Sequence, residues 1–136
     1  MIFIDTSLIV AYANAEDEFH SRAVEIVTEI DGGKYGMGVI TDYIFDEIMT
    51  TLLARTRNLK LVVENGNKLL DATLFINLNI DSDIFGSTWK IFKEQQKSRL
   101  SFTDCSIIAT CRANGIANLA TFDRALKESS KLTIVD

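Results

Sequence analysis

The sequence contains no proline, one histidine and only two cysteines. Without proline, and with its seven glycines scattered apart from the Gly32-Gly33 turn, the chain shows no linker-like stretch, so a single domain over residues 1–136 is expected. His20 has no cysteine or histidine at zinc spacing, which argues against a zinc centre and leaves it a structural place on an amphipathic helix. Cys105 and Cys111 stand six apart in one expected helix, roughly 9 Å along its axis. That is too far for a disulfide, and both read as small buried apolar residues. No apolar run approaches the ~18 residues of a membrane span. No basic segment with a cleavage site opens the sequence, so the expected compartment is the cytoplasm. Basic residues are outnumbered, 14 against 19 acidic, giving a net charge of −5. This excludes a bulk polycation: any nucleic-acid binding must come from local basic groups. Negative charge gathered into a metal site would hide such a surface from the composition.

What the sequence does have is alternation. Met1-Ile2-Phe3-Ile4 is an apolar run ended by Asp5-Thr6-Ser7, the pattern of a strand buried on both faces. Helical spacing follows in Leu8, Ile9, Ala11 and Tyr12, and again in Phe19, Ala23, Ile26, Val27 and Ile30. A second strand is expected over 35–40 and a long helix from Thr41 or Asp42 to Thr56, with Ile44, Phe45, Ile48, Leu52 and Leu53 inward. A helix from Leu59 to Thr73 follows, then a third strand over 74–80. The next helix starts at Asp81-Ser82-Asp83, with Ile84, Phe85, Thr88, Trp89, Ile91 and Phe92 on one face and Trp89 in core or interface packing. Another runs from Ser101–Thr103 to Asn114, stopped by Gly115. Asn118–Thr121 and Leu132–Val135 close the series as strands. Strands alternating with helices indicate a parallel α/β sheet.

Four acids recur where such a fold would return them to one edge. Asp5 and Asp123 end strands, Glu47 flanks the apolar arc of the long helix, and Asp104 shares a helical face with Ile108 and Cys111. Each has an ordinary explanation alone. Asp5 and Asp123 can cap the helices that follow, Glu47 can be a solvated helix charge, and Ser101-Phe102-Thr103-Asp104 fits a capping box. Together they read differently. Carboxylates packed at one edge repel one another and are pushed toward protonation by burial, and a hard divalent cation removes that conflict. Thr6, Ser7 and Thr121 are placed to hold the carboxylates or bound waters by hydrogen bonds.

Ile4-Asp5-Thr6-Ser7, Thr41-Asp42-Tyr43 through Glu47, Ser101-Phe102-Thr103-Asp104 with Ile107-Ile108-Ala109, and Ala120-Thr121-Phe122-Asp123 together resemble the PIN domain family, and within it the VapC-type toxins of toxin–antitoxin pairs. The resemblance implies a three-layer α/β/α fold with a parallel sheet of four to five strands in the order 3-2-1-4-5. It also implies a magnesium- or manganese-dependent endoribonuclease that works as a homodimer and is blocked by a cognate antitoxin. By the family pattern Asp5, Glu47, Asp104 and Asp123 form the catalytic site, with Asp5, Asp104 and Asp123 on the metal and Thr6, Ser7 and Thr121 supporting. Two basic groups, Arg55, Arg57 and Lys60 in one and Lys90, Lys93, Lys97 and Arg99 in the other, are candidates for the RNA backbone or plain solvated helix faces.

Three rivals remain at this stage. A PIN-fold module could hold RNA or protein without cleaving it, although the four intact acids argue against this. A haloacid-dehalogenase-like phosphatase would want Asp-x-Asp after the first strand, where the third position is Ser7. A receiver domain would need an acceptor aspartate on a middle strand and a late lysine on another, and no such pair stands out.

Overall fold

A computed structural model of the chain describes residues 1–71, 73, 75–96 and 99–136. Five strands lie in one sheet: β1 (Ile2–Ile4), β2 (Gly38–Thr41), β3 (Phe75–Leu78), β4 (Asn118–Ala120) and β5 (Thr133–Val135). Every neighbouring pair is parallel, and the order is β3-β2-β1-β4-β5. Among the described residues the helices are α1 (Thr6–Ala13), α2 (His20–Asp31), α3 (Asp42–Thr56), α4 (Leu59–Leu70), α5 (Ser82–Lys93), α6 (Phe102–Asn114) and α7 (Arg124–Ser129). The expected fold class and strand order are those observed.

The reason is burial. Ile2, Phe3, Ile4, Val39, Ile40, Leu119 and Ala120 are fully buried, which a strand achieves only with helices on both faces of the sheet. Helix α1 packs on both α2 and α3, α3 packs on α4, and α5 packs on α6; with the strands buried on both faces, the sheet is the middle of three layers. Among the described residues no helix is long and apolar enough to cross a membrane.

Helix ends follow the local chemistry. Thr41 caps α3, its hydroxyl accepting from the Ile44 amide at 3.3 Å, and Ser101 caps α6. Gly115 ends α6 at φ 64°, a left-handed position that costs glycine nothing. Gly38 is required by packing: a Cβ there would stand 2.9 Å from the Phe75 ring. His20 is structural, its Nδ1 lying 2.9 Å from the Ala11 carbonyl, which requires a proton on that nitrogen.

Four expectations need correction. The second strand begins at Gly38 and not at residue 35, because Gly36 takes φ +72° and turns the chain before the ladder starts. The fourth helix stops at Leu70, where Asp71 turns extended, and so falls short of Thr73. Leu53 is exposed, and so are Phe85, Trp89 and Phe92, since α5 buries only Ile84 and Thr88. Those aromatic rings pack on one another and on Phe102 instead of entering the core. Phe19 is also exposed, for a reason that belongs to the site. Leu74, the expected start of the third strand, and Lys97 both fall outside the described residues.

Candidate active site

The order β3-β2-β1-β4-β5 sends consecutive connections in opposite directions from β1 and β4, and in open α/β sheets ligands bind at such a switch point. Ile4 is in register with Ala120, and the Asp5 amide donates to the Ala120 carbonyl at 3.0 Å. Asp5 and Thr121 thus leave adjacent strands side by side. The Thr121 hydroxyl donates to Asp5 Oδ2 at 2.7 Å, and the Ser7 hydroxyl donates to the same oxygen at 2.5 Å. Each hydroxyl also accepts from the β4–α7 turn. Ser7 Oγ takes the Phe122 amide at 2.9 Å, and Thr121 Oγ1 takes the Asp123 amide at 2.9 Å. Two hydroxyls therefore lock the turn after β1 to the turn after β4.

Asp5 is 4% exposed, and burial raises its pKa despite the hydrogen bonds from Ser7 and Thr121 that oppose the shift. Glu47 reaches the same edge from the middle of α3. The Thr6 hydroxyl donates to its Oε2 at 2.5 Å, which ties it to the first turn of α1. Asp104 lies in the first turn of α6 and closes the capping box: Oδ2 accepts from the Ser101 amide at 2.7 Å while its own amide donates to Ser101 Oγ at 3.0 Å. Its pKa is raised, first by burial and then by the nearby charges of Asp5 and Asp123, with the bonds from Ser101 opposing. Asp123 caps α7, accepting from the Leu126 amide at 3.0 Å. The capping explanations thus hold for Asp5, Asp104 and Asp123, and they do not compete with a site: caps are what fix these carboxylates in place.

All four acids line one cleft of about 510 Å³, together with Thr6, Ser7, Val10, Thr51, Ser101 and Phe122. Of its other wall the sequence marked only Arg55, as a candidate contact for the RNA backbone. That wall consists of Asp17, Glu18, Phe19 and Arg55. Arg55 Nη1 meets Asp17 Oδ2 at 3.3 Å, and Asp17 Oδ1 accepts from the Phe19 amide at 2.9 Å. The Phe19 ring lies on Phe122, centroids 4.6 Å apart and planes within 11°. Glu47, Thr51 and Arg55 are spaced i, i+4, i+8 on α3, so one helix stripe runs from the acids to the arginine over ~12 Å. Arg57, Lys60, Lys90, Lys93 and Arg99 do not line this cleft.

Among the described residues, no three His, Cys, Asp or Glu side chains are drawn together tightly enough to cage a metal ion by themselves. The donor set nevertheless fits a particular kind of ion. It offers hard carboxylate oxygens only, two of which burial and mutual repulsion disfavour as free anions. Magnesium usually takes one or two carboxylates and keeps several waters.

Comparison with known proteins agrees with this fold. In its fold the chain is similar to Mycobacterium tuberculosis VapC20, a sarcin–ricin-loop-cleaving toxin, at 23% identity over 95% of each chain and a TM-score of 0.82. It is also similar to PAE2754 from Pyrobaculum aerophilum, at 18% identity over 98% of this chain and 81% of that one, with a TM-score of 0.63. No curated protein sequence matches. The profile of the PIN domain matches residues 2–132, a span that takes in β1, α3, α6 and β4 with every acid at the sheet edge, and the chain belongs to the PIN domain family.

Proposed function

We propose that this protein is an endoribonuclease that hydrolyses RNA phosphodiester bonds with Mg²⁺ or Mn²⁺, and that it acts as the toxin of a type II toxin–antitoxin pair. The observation that carries the proposal is the convergence of Asp5, Glu47, Asp104 and Asp123 on one cleft at the sheet's switch point. Membership of the PIN domain family and the likeness in fold to a VapC toxin support a nuclease role. In this reading a homodimer works in the cytoplasm and a cognate antitoxin blocks the cleft.

When bound, the ion supplies positive charge against the scissile phosphate and lowers the pKa of water nearby. The chain's residues do the rest. Asp5 and Asp104 would hold the ion most directly, and Asp123 would complete its surroundings, through water or a second ion. Thr6 occupies Oε2 of Glu47 and so aims the carboxylate, whose remaining oxygen accepts the proton of the attacking water. In-line displacement then breaks the P–O3′ bond, leaving a 5′-phosphate on one fragment and a protonated 3′-hydroxyl on the other. Ser7 and Thr121 hold Asp5 still, which removes motion that a solvated carboxylate would keep.

The test is cleavage of a mixed panel of structured and single-stranded RNAs with Mg²⁺, with Mn²⁺ and with chelator, Asp104→Asn alongside. Metal-dependent cutting that the variant loses supports the proposal. Absence of cutting, together with a melting temperature that Mg²⁺ does not raise, refutes it. A melting response without cutting would favour a PIN-fold binding module.

A further inference from the structure

The cleft presents an electrostatic problem for an RNA enzyme. Six carboxylates line it (Asp5, Asp17, Glu18, Glu47, Asp104 and Asp123), and among the described residues the only cationic side chain on the lining, Arg55, is already engaged by Asp17. Protein cations supply most of the affinity in ordinary backbone binding, and here they are nearly missing. The other established source of grip on a single strand is stacking of a base on an aromatic ring, which is indifferent to sequence because every base has a π-face.

An aromatic surface stands at the right place. Phe19 is 41% exposed on the cleft lining, and its ring lies on Phe122. The apolar residues of α2 that enter the core are Ala23, Ile26 and Ile30, whereas Phe19 sits before the helix and takes no part in that face. It is also firmly positioned. Its amide is held by Asp17, and Phe122 below it is pinned through its own amide to Ser7, the residue whose hydroxyl binds Asp5. A base resting on Phe19 would therefore be fixed relative to the acid that receives the phosphate. A helical duplex cannot offer such a base, because its bases are stacked on one another and only loops, bulges and single strands splay them out.

We infer that Phe19, backed by Phe122, is the platform for one unstacked nucleobase beside the scissile phosphate. This rests on the nuclease proposal above.

The test uses the single-stranded RNA oligonucleotides of the panel that the wild type cuts, and the same oligonucleotides with one abasic nucleotide placed in turn on each side of the cut. Phe19→Ala should lower kcat/KM by about 5- to 150-fold, the range for losing one stacked base. Phe19→Trp should restore it and Phe19→Leu should not. Removing the base at one position should cost the wild type a similar factor and cost Phe19→Ala almost nothing. Equal losses on intact and abasic RNA would show that Phe19 only shapes the loop and would overturn the inference, as would unchanged kinetics in Phe19→Ala. If the wild type cuts no RNA in the panel, the nuclease proposal falls and this inference falls with it. Cutting by the wild type with no difference between intact and abasic RNA removes the platform alone.

Discussion

Asp104 holds two positions at once, and the two can be separated. As the third residue of α6 it exchanges hydrogen bonds with Ser101, and as a cleft acid it faces Asp5 and Asp123. Ser101→Ala removes the hydroxyl that accepts the Asp104 amide and leaves the carboxylate, at a cost of about 1 kcal/mol for a lost N-cap. For a domain of this size that lowers Tm by roughly 3–5 °C. Asp104→Asn does the reverse. Its amide oxygen can still accept from the Ser101 amide, so the cap survives. The loss of a charge near the helix N-terminus costs ~0.3–1 kcal/mol, but relief from burial and from the repulsion of Asp5 and Asp123 acts in the opposite direction. Little net change in Tm is expected in chelator. Cleavage should behave in the opposite way. Ser101→Ala should cut at close to the wild-type rate well below its Tm, while Asp104→Asn should lose more than the ~10–100-fold typical of an outer hydrogen-bond partner. The assay pairs melting curves in chelator with initial rates in Mg²⁺. If Ser101→Ala loses as much activity as Asp104→Asn while fully folded, or if Asp104→Asn melts like Ser101→Ala and still cuts, the carboxylate is a cap and nothing more.

Burial raises the pKa of Asp5 above its ordinary 3.8, so the folded metal-free chain binds that proton more tightly than the unfolded chain does. Its contribution to stability is therefore full below 3.8 and is lost as pH rises through the folded-state value. In chelator, the Tm advantage of Asp5→Asn over the wild type should widen with rising pH in the acid range and then level off; parallel curves would contradict this. Gly38→Ala forces its Cβ to within 2.9 Å of the Phe75 ring, and overpacking of this kind should cost about 1–3 kcal/mol in a urea melt. Burial pushes the Cys105 thiol up to about 11 and the Cys111 thiol to about 12. Neither should react with a disulfide reagent at pH 8 until the chain unfolds, whereas rapid reaction of the native protein would show the α6 packing to be wrong.

The strands were legible because a strand covered on both faces can only be an apolar run, and two of those runs, Ile2–Ile4 and Leu119-Ala120, lead directly into an acid or its neighbour; their order came only with the resemblance to the PIN domain family, since a run does not name its neighbours in the sheet. Local caps were legible for the same reason: Ser101 to Asp104 is a pattern of four adjacent residues. Glu47 was harder, because a helical wheel gives its angle and not its partner. The bond from Thr6 joins residues 41 apart in the chain. The far wall was out of reach apart from Arg55, which stood in one of the two basic groups. Arg55 and Asp17 are 38 apart, and the stack of Phe19 on Phe122 joins two turns that only the sheet brings together. Phe19 also matched the period of the α2 core face, so spacing alone counted it as buried. Its position directly before His20, ahead of the first buried residue of α2 at Ala23, was the one available hint.

The overall charge takes on a definite meaning once the cleft is known. Among the described residues, six acids and one basic residue line it, so the lining carries a formal charge of −5, the same as the whole chain. The net charge of −5 is, in effect, the charge of the cleft. Such a cavity concentrates cations and excludes polyanions. Under the proposed nuclease function, divalent ions would be needed before chemistry begins, simply to let a phosphate approach Asp5 and Asp104. RNA affinity itself should then depend on the divalent ion. In chelator, binding of a fluorescent single-stranded oligonucleotide should be negligible, and Asp5→Asn should improve it by removing a charge even though cleavage is lost. If the wild type instead binds RNA equally well with and without divalent ions, the strand must lie on the neutral surface outside, and the cleft would not be the seat of the reaction.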